Sequence, residues 1–144
     1  MRKVVSSIVL AMSFLLVTNL SVAQCGGTET KTAKADCNSE TAKIAAVKFH
    51  ADYCGACKNL EPKITELKGK FKDDVVFVKF DFSNDDAKAK TKTLAADQGL
   101  NSVLADNKGT GYIVLYDLKS KKVVGKLKNS HSVADMEKEI KTYL

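Results

Sequence analysis

The sequence predicts an α/β fold, a mixed central sheet with helices on both faces, and three observations predict it. From residue 43 onward, strand-like runs alternate with helix-like runs, and strands joined through a helix are expected to lie parallel. The last two strand-like runs are separated only by a short polar turn, which predicts an antiparallel hairpin. The strand-like runs are rich in β-branched and aromatic residues, whereas the intervening segments repeat apolar residues at spacings of three and four. At 144 residues the chain is long enough for one domain with a real core.

Residues 44–49 form a short apolar run suited to a buried strand. A helical pattern begins near Gly55, with Leu60, Ile64, Leu67 and Phe71 on one face. Pro62 falls inside it and predicts a kink, and Gly69 with the charged residues 70–74 ends it. Residues 75–82 are the clearest strand: Val76, Val78, Phe80 and Phe82 share one face, Lys79 and Asp81 the other. Asn84, Asp85 and Asp86 offer capping groups for a half-exposed helix to about Asp97. Residues 99–111 read as irregular, with turn chemistry at 106–109. Residues 112–118 and 123–127 are the hairpin strands, joined by a turn over 119–122. Ser132 and Asp135 make a box-like start for a last helix carrying Val133, Met136, Ile140 and Tyr143 on one face.

Charge narrows the function. Lys and Arg number 23 against 17 Asp and Glu, and Arg2 is the only arginine. Readers of nucleic acid depend on arginine for bidentate contacts to bases and phosphates. Here lysines are scattered and interleaved with acids, which reads as a solvated surface and not as a nucleic-acid site.

Residues 1–23 read as a secretory signal peptide. Arg2 and Lys3 form its positive start, residues 4–17 its apolar run, and Ser21, Val22 and Ala23 its cleavage site. The apolar run is short for a permanent membrane span. Two readings compete with cleavage after Ala23: an uncleaved anchor, and a lipid on Cys25, for which the preceding Gln24 is a poor fit. Residues 24–42 are expected to be a flexible leader and 43–144 the folded domain. The protein is therefore expected to be periplasmic or secreted, where disulfides form and persist, with membrane attachment only if Cys25 is lipidated. Four cysteines allow three pairings. Close spacing makes Cys54 with Cys57 the natural one. Cys25 and Cys37 pair with each other, or Cys25 is lipidated, or both are incidental thiols.

Cys54 and Cys57 follow a strand and open a helix. A helix N-terminus stabilises a thiolate through its free N–H groups and dipole. The outer cysteine, Cys54, is then the attacking nucleophile, and Cys57, one turn inside, resolves the mixed disulfide. Gly55 and Ala56 between them add no charge and leave backbone N–H groups free, while Tyr53 and Lys58 flank the pair and a nearby lysine helps to hold a thiolate. No dissociable cofactor is needed. A zinc site would need about four ligands, and only His50 and the distant Cys25 and Cys37 are at hand, at irregular spacing.

The run FHADYCGACKNLEP, residues 49–62, resembles the thioredoxin family: a strand, an aromatic before the first cysteine, the dithiol, a following lysine, and a proline five residues after the second cysteine. The element order agrees, so the resemblance covers about residues 43–144. It implies a thioredoxin-like fold and thiol–disulfide oxidoreductase activity on protein thiols and disulfides, with an upstream redox partner. Three departures stand out. The family carries a cis-proline facing the dithiol just before the third strand, where this chain has Gly111. A non-proline cis bond costs about 2.5–4 kcal/mol, so Gly111 predicts a trans or flexible link, an opened site and an exposed N–H donor that could admit a metal or cofactor. The family also often places a buried carboxylate six residues before the first cysteine, where this chain has Lys48. Lys48 either exchanges a proton with Cys57 or snorkels to the sheet edge. Residues 102–108 read as an insertion, either a border of the site or a tolerated surface loop. His50 is expected to pack and His131 to be exposed. Two further readings stay open beside the enzyme: a non-enzymatic thioredoxin-fold binding module, and a dithiol protein binding a metal or cluster.

Overall fold

The computed structural model describes residues 42–144. The expected signal peptide, Cys25 and Cys37 lie outside the described residues. The elements run β1 (Ile44–His50), α1 (Gly55–Lys70), β2 (Val75–Asp81), α2 (Asp85–Asp97), α3 (Asn101–Asp106), β3 (Tyr112–Asp117), β4 (Lys122–Lys128) and α4 (Val133–Lys141). The four strands form one sheet in the order β2-β1-β3-β4. β1 pairs parallel with β2, with Ile44 opposite Val75 and His50 opposite Asp81. It pairs antiparallel with β3, and β3 with β4. The crossover through α1 and the final hairpin follow the expected pattern, and the architecture is the expected α/β one. The strand after the second helical segment does not: β3 runs antiparallel to β1 and so to β2, because two helices, α2 and α3, fill that connection and return the chain to the end of the sheet it left.

β1 is inner and buried along all seven residues, which is why it is largely apolar without alternation, Lys48 and His50 apart. Its side chains divide the core. Ile44 and Ala46 pack with Leu60, Ile64 and Leu67 of α1 and with Met136 and Ile140 of α4. Ala45, Val47 and Phe49 pack on the opposite face with Val76, Val78 and Phe80, and with Ala95, Leu100 and Val103 from α2 and the α3 region. Helices therefore cover both faces.

The helix starts are chemically specified. Asn84 accepts the Ala87 N–H at 2.8 Å to open α2. Ser132 and Asp135 form a reciprocal capping box at α4. Pro62 lies within α1, and the helix runs unbroken through it from Gly55 to Lys70. Its missing N–H falls on the exposed side, where water can reach the Lys58 carbonyl. Lys63 donates to the carbonyls of Asn129 and His131, both at 2.7 Å, and so ties α1 to the turn before α4.

Two expectations are corrected. Residues 99–111 are not wholly irregular, because α3 occupies part of them: Leu100 and Val103 are buried and hold this short helix by packing, with no side-chain cap to announce it. His131 is half-buried, not exposed, because the lysine bond to its carbonyl draws this turn onto α1.

Phe49 is fully buried and stacks against Tyr112 and Phe82, with Phe80 edge-on at 5.5 Å. Phe49→Ala is expected to lower unfolding stability by about 3–5 kcal/mol, read from a shift in denaturant midpoint at unchanged slope.

Candidate functional site

The chain leaves β1 at His50 and reaches α1 through a tight turn in which the Cys54 N–H donates to the Ala51 carbonyl at 3.0 Å. Cys54 has extended backbone and is the N-cap of α1. Its sulfur accepts the Cys57 N–H at 3.2 Å, the place a serine or aspartate oxygen fills in an ordinary cap. No acidic residue stands in the first turn, so the free N–H groups and the dipole act on sulfur alone. Cys54 and Cys57 are joined as a disulfide with Cα atoms 5.3 Å apart. Cys54 is partly exposed and Cys57 is fully buried, with its sulfur 3.6 Å from the Phe49 carbonyl.

Gly111 faces the pair. Its φ is +90°, in the region that favours glycine. A Cβ there would lie 2.8 Å from the Ala56 Cβ and 3.3 Å from the Cys54 sulfur. The backbone thus approaches the disulfide so closely that no side chain fits. The expected exposed donor is absent: the Gly111 N–H donates to the Phe49 carbonyl at 2.8 Å, because β3 draws this residue against the end of β1. Gly111 is buried, so it lines the site without opening it.

The turn before the dithiol is anchored from β2. The Asp52 N–H donates to Ser83 Oγ at 2.9 Å, and Ser83 Oγ donates to Asp81 Oδ1 at 2.5 Å. Burial disfavours the Asp81 charge, but hydrogen bonds from Lys79 and Ser83 outweigh it and hold its carboxyl down at about 2. His50 is buried, its Nε2 lying 3.2 Å from Asp52 Oδ1 while Nδ1 has no hydrogen-bond partner. Tyr53 is 77% exposed beside Cys54, the largest apolar side chain so displayed among the described residues. Gly55 and Lys58 are exposed and Ala56 sits under Gly111.

Lys48 is buried on the α1 side of the sheet, and its Nζ lies 2.7 Å from Glu61 Oε1. Glu61 stands four residues after Cys57, on the same face of α1. The structure thus groups Lys48 with the helix that carries the dithiol. Residues 102–108, which include most of α3, are placed on the other face of the sheet from α1 and α4, where Val103 packs. Among the described residues no three His, Cys, Asp or Glu side chains converge as a metal cage.

The thioredoxin family model matches residues 28–96, a span that contains β1, the dithiol helix and β2. Over these residues the chain is similar to the thioredoxin family. Thioredoxin H8 of Arabidopsis thaliana is 50% identical over 42 residues, which are 29% of this chain and 28% of that protein. Thioredoxin H2-1 of Oryza sativa subsp. japonica is 41% identical over 46 residues, 32% of this chain and 33% of that protein. The chain thus spans about a third or less of the length of these two thioredoxins. Among solved structures, the reduced thioredoxin pre-protein of Schistosoma mansoni superposes with a TM-score of 0.48 at 24% identity, over 73% of this chain and 83% of that one.

The dithiol, its flanks and Lys48 were open to sequence reasoning. The Phe49 carbonyl, the Asp81–Ser83 anchor and Glu61 were not. Of these only Glu61 left a signal, as an acid one helical turn beyond Cys57 on the apolar side of the pattern.

Two outcomes follow from this geometry. Gly111→Ala is expected to destabilise by about 1–3 kcal/mol through backbone strain and the clash with Ala56, and Gly111→Pro also to cost stability, since proline can neither adopt φ +90° nor donate to Phe49; thermal melts of both check this. The second concerns acid. Asp81 has a folded pKa of about 2 against an ordinary 3.8, so its contribution is complete above 3.8 and is lost as pH falls toward 2. Asp81→Asn should flatten that part of the stability–pH curve, measured by urea unfolding between pH 5 and pH 2 (on the order of the carboxylate range).

Proposed function

We propose that this chain is a thiol–disulfide oxidoreductase working outside the cytosol through Cys54 and Cys57. The observation that carries the reading is the asymmetry of the pair: a partly exposed sulfur in the N-cap position of α1, disulfide-bonded to one that is fully buried. The exposed sulfur can meet another protein and the buried one cannot.

In the reducing direction the Cys54 thiolate attacks one sulfur of a substrate disulfide. The substrate S–S bond breaks, a mixed disulfide forms, and the departing sulfur takes up a proton. Cys57, deprotonated, then attacks the Cys54 sulfur. The mixed disulfide breaks, the second substrate sulfur leaves as a thiol, and Cys54–Cys57 closes. Two electrons pass to the substrate, and an upstream dithiol partner must return them. Run backwards, the same steps oxidise a substrate dithiol. The attack of Cys57 on the Cys54 sulfur needs little motion, because the two residues already stand at disulfide distance, with Cα atoms 5.3 Å apart. Tyr53 offers an exposed apolar surface beside the reacting sulfur, and Gly111 presents bare backbone opposite it.

Export rests on residues 1–23, whose charged start, apolar run and small-residue end have the form of a signal peptide. The mature chain is proposed to begin near Gln24 and to be periplasmic or secreted, with residues 24–42 leading into the folded domain; lipidation of Cys25 is the alternative. Protein thiols and disulfides are the proposed partners.

Insulin reduction tests the chemistry. Cys54→Ser is expected to remove turnover, and Cys57→Ser to leave a trapped mixed disulfide with substrate, visible by mass spectrometry. Turnover that survives Cys54→Ser would overturn the reading. Mass spectrometry of the mature N-terminus separates cleavage at Gln24 from a lipid on Cys25.

A further inference from the structure

A cavity of about 240 Å³ opens between α1 and β2 on the α1 side of the sheet. Neither cysteine of the dithiol lines it. Its floor is apolar, with Ile64 and Phe77, and three lysines line it, Lys48, Lys68 and Lys79, against one carboxylate, Glu61. Lys68 lies over the Phe77 ring at 5.9 Å. Lys79 is held by Asp81 at 2.8 Å.

Lys48 is the unusual member. Its side chain is 6% exposed, and its ammonium makes no hydrogen bond. A buried ammonium needs an anion and acceptors to offset lost hydration. Among the described residues, the group that reaches it is a carboxylate oxygen of Glu61, at 2.7 Å and outside hydrogen-bond geometry. Glu61 is 55% exposed, so its own carboxylate is readily hydrated once another anion takes its place at Lys48. The chain therefore keeps a carboxylate of its own at the mouth of a small cavity whose floor is apolar and whose charged lining is mostly cationic.

We propose that this cavity is a binding site for a small organic carboxylate. The ligand's carboxylate displaces Glu61 from Lys48, and its apolar body lies on Ile64 and Phe77. An inorganic anion would satisfy Lys48 and leave the floor uncovered. An uncharged hydrocarbon would cover the floor and leave Lys48 as it is. Pockets that combine an apolar wall with a few convergent polar groups are the usual form of small-molecule sites.

The test is an NMR titration of the folded protein with benzoate, read at the methyl groups of Ile64 and Ile113, which also line the cavity. Saturable shifts are expected with benzoate and not with inorganic phosphate at equal concentration. Glu61→Gln removes the internal competitor, so benzoate should bind about fivefold more tightly. Lys48→Met should abolish saturation. If benzoate gives no saturable shift, if phosphate gives the same shifts, or if Glu61→Gln weakens binding, the proposal is overturned. Should Lys48→Met fail to fold, the Glu61→Gln comparison decides, since that substitution lies at the surface. The readout is independent of the dithiol, so Cys54→Ser should bind benzoate as the wild type does.

Discussion

The carbonyl oxygen of Phe49 accepts the Gly111 N–H at 2.8 Å and lies 3.6 Å from the Cys57 sulfur. Three segments far apart in sequence meet there: the end of β1, the first turn of α1 and the entry to β3. A buried carbonyl must be satisfied, and this one is met by the strand that faces the dithiol. Its position is fixed in turn by the Phe49 side chain, clamped among Phe80, Phe82 and Tyr112 on the opposite face of the sheet. One residue thus serves the core with its ring and the site with its backbone, so packing and chemistry cannot vary independently at this point.

Around that point the site is built from backbone proximity more than from charged side chains. The residue facing the disulfide contributes no side chain because its Cβ would strike Ala56. The cap of α1 is supplied by sulfur and not by oxygen. The anchor of the turn, Asp81 through Ser83 to the Asp52 N–H, comes from the neighbouring strand. The family's facing proline and buried strand carboxylate are both replaced, one by a glycine whose N–H is used, the other by a lysine that meets a helix carboxylate. The lysine–glutamate pair places its negative member at the surface, which reverses the arrangement the resemblance implies.

Much of the frame was legible because it depends on local pattern. The largely apolar β1, the spacing of Leu60, Ile64 and Leu67, the Asn84 cap and the Ser132–Asp135 box each declare themselves within a few residues. What escaped depends on chain segments meeting. α3 lacks a side-chain cap and is held by Leu100 and Val103 against the sheet, so its short length left no periodicity. The used N–H of Gly111 follows from antiparallel pairing of β1 with β3, in which Phe49 stands opposite Tyr112. Lys48 was recognisable as unusual, but its partner comes from a helix whose rotation on the sheet is a product of core packing. The half-burial of His131 is likewise made by Lys63, 68 positions away.

The sulfur that caps α1 changes how its removal should be understood. Cys54 is both the reactive atom and the acceptor that closes the first helical turn. An alanine there deletes the cap along with the thiol, and the loss of an N-cap alone costs about 1 kcal/mol. A serine keeps an acceptor where the sulfur was. The two replacements are therefore not equivalent controls: one reports on reactivity, the other mixes reactivity with the integrity of the helix that carries it.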